Sequence, residues 1–554
     1  DEGMMRQKVR IPSILSALFF ALCGLMSLYL TYKTAGNLLD SDASSELVLA
    51  RLLADTNQIL SRDWFYSTEL RVLNTQLIYM PLFKIFSDWK LVRFFGALLL
   101  QAILVLSYYF LSRQAGFSRN VFFLTGGLLL LPASTPYARI VLLHSYYVPH
   151  IAIGFFLLGL LLGFGNSEKK KGLRIAYLVL FLLLSLLSGL GGVRQLLVTF
   201  LPLLAAAFLL LLCSDGFRGV THEEMEAGSV SALRRLRTAA CCREARTLYL
   251  SAAGAAFAAV GYLLNSRVLD GIYSFTNYGG MRLKNPAVGD VDPLFSALLE
   301  LFGYKANAKV FSKEGIASLL GAACLVLVLL MGLYLVVRIR RVETLPWRLL
   351  VLFFVCTLVL NTVVFLLTKT TLALYYIPIF IYFVPLLAVW LGQCKRAFPP
   401  LWCGAAGLVA AVFFGNSLLI THYFVKKPQD SPIVYSGLVY TERDTVEHLT
   451  PVVGFLQDNG YTFGYANFWD ANVITEMTNG QIEMVNTNIG QQLTPYNWLM
   501  SKKLLEPGYH TGKTFVLLSA VGEKSSSDAG YDWLKQGEKI YSDGRFSVYA
   551  NDGP

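Results

Sequence analysis

The sequence predicts a polytopic α-helical membrane protein that carries a C-terminal α/β domain. Of its 554 residues, 55% are hydrophobic and only 15% are charged, whereas roughly a quarter of the residues of a soluble domain are charged. Apolar segments of about 17–22 residues recur along the chain, which is the length that an α-helix needs to cross a bilayer. The remaining part, residues 421–554, is less apolar and alternates predicted strands with predicted helices, as in a small α/β domain.

The apolar segments predict about eleven membrane-spanning helices, which would form a transmembrane domain over residues 1–420. Their polarity does not alternate along the chain, and this favours helices over short strands. No small-residue cleavage site follows the first segment, so we expect a spanning helix there and not a signal peptide. The predicted spans are 13–32, 91–112, 121–138, 146–165, 173–188, 195–213, 247–265, 316–337, 347–367, 373–393 and 401–420.

The basic residues of the short loops predict the orientation, because cytoplasmic loops of membrane proteins are rich in Lys and Arg. With a cytoplasmic N-terminus, the short outer loops contain only Arg139, Arg194 and Lys369. We therefore expect a multi-pass protein of the cell membrane with residues 421–554 outside. The net charge of +11 then reflects this bias and does not indicate a nucleic-acid partner. The short inner loops contain Arg6, Lys8, Arg10, Arg113, Arg119, Lys169, Lys170, Lys171, Arg174, Arg338, Arg340, Arg341, Arg348, Lys395 and Arg396.

Two polar loops interrupt the predicted transmembrane domain on the outer side. The first, 33–90, has helix-start residues at 44–46 before a periodic apolar run. Its aromatic residues are typical of a membrane interface, so we expect short helices that lie along the membrane surface. The second loop, 266–315, contains a glycine pair at 279–280, which indicates irregular backbone. Residues 294–303 are predicted to be helical.

The C-terminal region carries no recognisable catalytic motif. It has no glycine-rich phosphate loop, no Ser-His-Asp pattern and no metal-binding motif in its sequence. Within this region the predicted helices are 443–457 and 468–477, and the predicted strands are 461–466, 481–486, 513–519, 538–542 and 545–550.

An acidic motif directly after the first span is the first candidate catalytic site. It contains Asp40, Asp42 and Glu46. Extended backbone would place Asp40 and Asp42 on one side, whereas a helix beginning near Asp42 would place Glu46 one turn further on the same face. Such carboxylates could deprotonate an acceptor hydroxyl, or hold a divalent cation such as Mg²⁺ or Mn²⁺. The alternative is that Asp42 caps a helix and Asp40 is solvated.

Basic residues on the predicted outer side are candidates for binding a phosphate group. A guanidinium group can donate two parallel hydrogen bonds to phosphate oxygens. Arg194 follows a glycine-rich turn, where other backbone can approach closely; the alternative is that it anchors the helix at the lipid headgroups. Arg139, Lys369 and the pair Arg282 and Lys284 are further candidates.

Four other residues are candidates for substrate binding. Glu69 and Arg71 alternate with apolar residues, so a surface ion pair is the alternative for them. His144 lies near the outer start of the fourth predicted span, where a structural hydrogen bond is the alternative. Tyr278 directly precedes the glycine pair of the second outer loop.

This arrangement resembles the GT-C membrane glycosyltransferases, which include protein O-mannosyltransferases, lipid A aminoarabinose transferases and oligosaccharyltransferases. The shared plan is a first span that ends in an acidic motif, a long first outer loop and an exported C-terminal domain. The resemblance implies that a polyprenyl-phosphate-linked donor supplies a sugar, as in bacterial cell-envelope glycosylation. It implies that Asp42, or alternatively Asp40, acts as the base or orients the acceptor. Arg194, Arg139 and Arg282 would hold the donor phosphate.

The chain also departs from these families. The first outer loop lacks the Asp-Glu doublet of the mannosyltransferases and the Trp-Trp-Asp motif of the oligosaccharyltransferases. The resemblance therefore does not identify the sugar, and it leaves open whether the acceptor is a glycan, a lipid or a protein. A membrane transporter with an outer binding domain is the alternative function. Transporters place ionisable groups at mid-membrane depth, whereas here such groups gather at the outer ends of the spans. An O-antigen ligase or polymerase is a third possibility, but those enzymes usually lack an acidic motif after the first span.

Overall fold

The computed structural model describes residues 13–68, 70–167, 170–214, 242–275, 282–370, 372–394, 400–426, 432–435, 438–441 and 445–551. In chain order, the helices are α1 (Ser13–Thr34), α2 (Ser41–Thr56), α3 (Gln76–Phe83), α4 (Trp89–Gln114), α5 (Arg119–Leu128), α6 (Thr135–Tyr137), α7 (Val148–Asn166), α8 (Lys171–Leu190), α9 (Leu201–Leu212), α10 (Arg243–Arg267), α11 (Val291–Leu301), α12 (Lys313–Val337), α13 (Leu345–Thr368), α14 (Ala373–Phe380), α15 (Phe383–Cys394), α16 (Pro400–Val425), α17 (Thr445–Asp458), α18 (Phe468–Met477), α19 (Ala520–Asp528) and α20 (Asp532–Gln536).

The strands are short, and most of them lie in the C-terminal region. They are β1 (Trp64–Tyr66), β2 (Ser274–Phe275), β3 (Pro432–Tyr435), β4 (Leu438–Thr441), β5 (Phe463–Ala466), β6 (Glu483–Ile489), β7 (Leu493–Pro495), β8 (Met500–Ser501), β9 (Thr514–Ser519), β10 (Lys539–Ser542) and β11 (Phe546–Asn551).

Nine helices within the described ranges are long and apolar enough to cross a membrane. A further, shorter apolar helix covers Leu196–Leu212, where the sixth span was predicted. The molecule is therefore a polytopic helical membrane protein, as the sequence predicts, while the number of eleven spans remains a prediction. The nine long segments are α1, α4, α7, α8, α10, α12, α13, the α14–α15 pair and α16.

The third predicted span, 121–138, is not one continuous helix. Helix α5 ends at Leu128, and the chain then passes through Pro132, which has no N–H group to extend a helix. A π-helical turn over Ala138–Leu143 follows the short helix α6. Such turns occur frequently at functional sites, and this one carries Arg139.

The first predicted outer loop does contain short helices. Helix α2 begins directly after the α1–α2 connection and packs against α3 and α18. Strand β1 of this loop pairs in parallel with β2 and antiparallel with β8. This three-stranded sheet joins the two polar loops of the membrane domain to the C-terminal region.

The C-terminal region contains a six-stranded sheet in the order β10-β11-β9-β5-β6-β7. Strand β5 is parallel to both β6 and β9, and α17 and α18 pack on the sheet through a buried apolar core that includes Val452, Ile474 and Phe515. The predicted α/β organisation is confirmed, and each predicted strand and helix lies within a few residues of an observed one. The buried residue Leu39, from the α1–α2 connection, also belongs to this core.

Candidate functional site

The acidic motif lies where the membrane helices meet the C-terminal region, and Asp40 is the N-cap of α2. Its backbone is extended (φ −134°, ψ 162°), and its carboxylate accepts a hydrogen bond of 2.8 Å from the backbone N–H of Ala43. The other carboxylate oxygen, Oδ2, lies 2.7 Å from Nδ1 of the buried His144. The alternative in which Asp42 caps the helix and Asp40 is solvated is therefore wrong, because the helix begins two residues earlier, with Asp40 as its cap.

Asp40 is stabilised as a carboxylate. Burial by itself would raise its pKa, but the contact with His144, the hydrogen bond from Ala43 and the charge of Arg139 outweigh burial. Together they hold the pKa of Asp40 well below its ordinary value. Asp40 is therefore ionised at neutral pH, and its negative charge acts on its neighbour Asp42.

Asp42 lies in the first turn of α2, and its environment shifts its pKa in the opposite direction to that of Asp40. Burial and the charge of Asp40 raise its pKa to about 6, against an opposing effect of Arg71 and with a further contribution from Glu46. No hydrogen bond or ion pair to the Asp42 carboxylate occurs in the part of the chain that the structure describes. A carboxylate without a partner and with a pKa near neutrality can accept a proton from a substrate.

Glu46 lies one helical turn after Asp42, on the same face of α2. Its carboxylate accepts hydrogen bonds from the Asn74 side-chain amide at 3.0 and 3.2 Å, and a third from the Thr75 hydroxyl. These bonds attach α2 to the residues that precede α3. The arrangement fixes the position of Glu46, and its catalytic role remains a prediction.

Two of the predicted phosphate-binding arginines, Arg139 and Arg194, carry unsatisfied hydrogen-bond donors. Nε of Arg139 and Nη1 of Arg194 are buried and have no hydrogen-bond partner among the described residues. The charge of Arg139 acts on Asp40, and the Arg194 guanidinium lies over the ring of Tyr147 at 4.8 Å from its centroid. Buried polar groups without a partner are rare in folded proteins. These nitrogen atoms are suited to bind an anion.

Two tyrosines, Tyr146 and Tyr147, lie within electrostatic reach of both the arginines and the carboxylates. Burial raises the pKa of Tyr147, with smaller effects from Arg194 and Asp42. Burial likewise raises the pKa of Tyr146, and the charges of Asp40 and Asp42 add to that effect. Both hydroxyl groups therefore stay protonated and can donate hydrogen bonds. Sequence reasoning did not select these tyrosines, although they lie in a polar and aromatic segment between His144 and His150.

The structure brings some of the predicted site residues together and leaves others apart. Arg71 and His144 lie beside the acidic motif, as their effects on Asp42 and Asp40 show. Arg282 and Lys284 are exposed on the second loop. Lys369 forms an ion pair of 3.1 Å with Asp290 of that loop. Glu69 and Tyr278 lie outside the described residues.

A cation at Asp40 and Asp42 remains a prediction. Within the described ranges, no group of three or more His, Cys, Asp or Glu side chains is arranged to hold a metal ion. Both carboxylate oxygens of Asp40 are engaged, one by Ala43 and one by His144. The donor set for an ion would therefore need Asp42 and groups from a substrate.

Comparisons with known proteins agree with this architecture at the level of the fold. No protein-family model matches the sequence, and a comparison with curated proteins finds no significant match. The structure is similar to that of ArnT from Cupriavidus metallidurans bound to undecaprenyl phosphate, with a TM-score of 0.52 and 11% sequence identity over 98% of each chain.

A second similar structure is the archaeal oligosaccharyltransferase AglB from Archaeoglobus fulgidus, in complex with an inhibitory peptide and a dolichol-phosphate. Its TM-score is 0.50 with 11% identity, and the match covers 97% of this chain and 74% of that one. Identities this low establish the fold and not the substrates. The chain has the GT-C fold of membrane glycosyltransferases.

Proposed function

We propose that the protein is an integral membrane glycosyltransferase that takes a sugar from a polyprenyl-phosphate donor. The observation that supports this most directly is the half-buried Asp42 carboxylate, which has no partner among the described residues, together with the unsatisfied guanidinium nitrogens of Arg139 and Arg194. The charge of Arg139 acts on Asp40, and Arg194 lies over the ring of Tyr147. A base and an anion-binding group are the two requirements for displacing a phosphate from a sugar. The similar structures of ArnT and AglB contain polyprenyl-type phosphates, which fits this assignment.

In the proposed mechanism, Asp42 accepts the proton of an acceptor hydroxyl group. The acceptor oxygen then forms a bond to the anomeric carbon, while the bond from that carbon to the phosphate oxygen breaks. The electron pair of the broken bond leaves with the polyprenyl phosphate. Arg139 and Arg194 stabilise the negative charge that develops on this phosphate.

Asp40 and His144 have supporting roles in the proposed mechanism. The charge of Asp40 raises the pKa of Asp42 and so strengthens Asp42 as a base. His144 contacts Asp40 and holds its carboxylate in place. Arg71, whose charge also reaches Asp42, would contact the acceptor or the transferred sugar. Arg282 and Lys284 of the second loop, and Lys369 beside it, remain further candidates for contacting the donor phosphate.

The proposed function includes an orientation in the membrane. The distribution of basic residues supports a cytoplasmic N-terminus and transfer on the extracytoplasmic face. It also supports a division into a transmembrane catalytic domain over 1–420 and an extracytoplasmic α/β domain over 421–554. An epitope placed after the last residue should bind its antibody in intact cells. Antibody binding only after permeabilisation would contradict this orientation.

Donor cleavage by the reconstituted protein tests the reaction. The purified full-length chain in proteoliposomes is incubated with a polyprenyl-phosphate sugar that is radiolabelled in the sugar, together with a panel of glycan, lipid and peptide acceptors. We expect release of polyprenyl phosphate and a labelled product with at least one acceptor. Movement of the intact donor across the bilayer without cleavage would refute the proposal and favour a transporter.

Phosphate recognition has a separate test that needs no acceptor. Binding of undecaprenyl phosphate is measured by native mass spectrometry for the wild type and for Arg194→Ala, with Arg174→Ala as the control at the other end of a span. We expect weaker binding for Arg194→Ala alone. Equal binding by all three proteins would remove Arg194 from the donor site.

A divalent cation is a further proposal for the same site. Mg²⁺ or Mn²⁺ held by Asp42 and the donor phosphate would supply positive charge to the leaving group. Donor cleavage is measured during titration with EDTA and after addition of Mn²⁺. Loss of turnover that Mn²⁺ restores would support the cation, and unchanged turnover would exclude it.

A further inference from the structure

The C-terminal region and the acidic motif are packed into one another. Leu39, directly before Asp40, is 1% exposed and belongs to the hydrophobic core of the C-terminal sheet. Ser41, directly after Asp40, donates a hydrogen bond from its hydroxyl to the backbone carbonyl of Phe468 at the start of α18. The C-terminal region therefore holds both chain neighbours of Asp40.

Helix α18 continues this contact along α2. The side-chain amide of Asn472 lies 3.4 Å from the Ser41 hydroxyl oxygen and 3.4 Å from the carbonyl oxygen of Leu499. Asn472 is buried, so its hydrogen bonds do not compete with bulk water. Its position between the acidic motif and the segment before β8 fixes α18 relative to α2.

A buried ion pair attaches the other end of α18 to the membrane helices. The guanidinium group of Arg93, near the start of α4, contacts both carboxylate oxygens of Glu476 at 2.5 Å. The two side chains are only 2% and 3% exposed. A buried charge that loses its partner strongly destabilises the fold, so this pair ties α18 firmly to α4. The charge of Arg93 also acts on Asp40.

We infer that α18 is a positioning element of the proposed transferase site, in which Asn472 and Glu476 hold the turn around Asp40 so that Asp42 faces the substrates. This inference rests on the proposed function for its catalytic meaning. Neither residue contacts the carboxylate that accepts the proton, and both act through the turn. His144 holds the same turn from the side of the membrane helices. The site is therefore shared between the two parts of the chain.

Amide hydrogen exchange in the full-length protein tests the structural half of the inference. We compare Asn472→Ala and Glu476→Gln with the wild type in nanodiscs. The peptide that covers residues 38–47 should exchange about tenfold faster in both variants, because the turn opens more often. The matched control is Glu523→Gln, since Glu523 also forms an ion pair but packs over β9 and β11. Unchanged exchange at 38–47 in both test variants would overturn the inference.

Kinetics of donor cleavage test the catalytic half. A displaced Asp42 lowers kcat, and a misplacement of about 1 Å lowers a rate by roughly a hundredfold. The donor KM should stay unchanged in Asn472→Ala, because Arg139 and Arg194 are not affected. The acidic limb of the pH profile should also shift, since the surroundings of Asp42 change. A lower yield of protein with unchanged kcat and pH profile would reduce both residues to a structural role and overturn the inference.

A second pair of variants covers the case in which Glu476→Gln does not fold. Arg93→Met combined with Glu476→Met replaces the ion pair by apolar side chains, which buried sites tolerate well. Adding Asn472→Ala to this folded background should still accelerate exchange at residues 38–47, and unchanged exchange would contradict the inference. If the variants exchange faster at residues 38–47 but even the wild-type protein cleaves no donor, the proposed function is refuted while the structural inference stands.

Discussion

The two polar loops that interrupt the membrane helices differ in how their candidate charged residues are paired and exposed to water. In the first loop and its neighbours, three of the candidate site residues are half-buried and incompletely paired. Asp42 has no partner among the described residues, and Arg139 and Arg194 each have a buried nitrogen that no hydrogen bond satisfies there. In the second loop, Arg282 is exposed and Asp290 is already paired with Lys369. Both loops looked alike in the sequence, because each combines basic residues with acidic ones.

The difference shows what distinguishes a site from a charged surface. Water and counter-charges satisfy the groups of the second loop, so they have little free energy to gain from a ligand. Partial burial shields Asp42 and the unsatisfied nitrogens of Arg139 and Arg194 from water, and their missing partners leave both a base and anion-binding groups available. We therefore place the proposed catalytic site at the first loop and expect a peripheral role for the second.

The largest expected effect is the loss of transfer in Asp42→Asn. The amide cannot accept the acceptor proton, and general base catalysis typically contributes about a hundredfold to ten-thousandfold in rate. We expect kcat for donor cleavage to fall within that range. The matched control is Asp55→Asn, because Asp55 lies on the same helix α2 but is exposed and paired with Arg51. Full turnover by Asp42→Asn would show that Asp42 is not the base, and would contradict the placement of catalysis at the first loop.

Donor affinity is expected to change less. Each of Arg139→Ala and Arg194→Ala removes charged hydrogen-bond donors, which are worth about 1.5–3 kcal/mol each and so about a tenfold to hundredfold change in Kd. Arg282→Ala should change the Kd for undecaprenyl phosphate by less than about threefold, since an exposed charge contributes little. Native mass spectrometry of the three variants gives this order directly. An equal loss in Arg282→Ala would place the phosphate at the second loop.

Much of this architecture could be predicted from the sequence, because it depends on local patterns. Long apolar segments identified the membrane helices, and the alternation of predicted strands with predicted helices identified the C-terminal α/β domain. The prediction of the third span as one continuous helix was wrong, because a hydropathy pattern does not detect the helix break that a proline such as Pro132 causes. The helix cap could be predicted only to within two residues, since Asp40 and Asp42 are equally good caps.

The shared nature of the site could not be predicted from the sequence. The contact between Arg93 and Glu476 joins residues that are 383 positions apart, and a single sequence carries no signal for such a pair. Arg93 lies near the start of an apolar segment, and a basic residue at that position is usually interpreted as an anchor at the lipid headgroups. Tyr146 and Tyr147 were overlooked for a related reason, because aromatic residues at the start of a span are typical of the membrane interface.

Substitution of Asp40 and of Asp42 by Asn should change the thermal stability of the protein in opposite directions at pH 7.5. The pKa of Asp42 is raised from 3.8 to about 6 in the folded protein, so the fold favours the protonated carboxyl group. Its contribution to stability is therefore complete below pH 3.8 and is lost as the pH rises from 3.8 to about 6. Above about pH 6 its ionised form costs up to about 3 kcal/mol. Asp42→Asn should therefore stabilise the protein at pH 7.5 and have no such effect near pH 4.

Asp40→Asn should destabilise the protein at pH 7.5. The pKa of Asp40 is lowered in the fold, so its stabilising effect is present above pH 3.8 and disappears as pH falls. Unfolding midpoints in detergent at the two pH values measure both variants. Stabilisation by both substitutions, or by neither, would show that the two carboxyl groups do not differ in the way the geometry indicates.

The smallest expected effect is a shift in the acidic limb of the pH–rate profile. If Asp42 is the base, kcat/KM should fall with one proton below about pH 6, because the protonated carboxyl group cannot accept the acceptor proton. Asp40→Asn removes a neighbouring negative charge that raises this pKa, so the limb should move to lower pH. Lys369→Ala, at the paired site of the second loop, should leave the limb where it is. A limb that moves equally in both variants would mean that the profile reports the net charge of the surface, and Asp42 would lose its assignment as the titrating group.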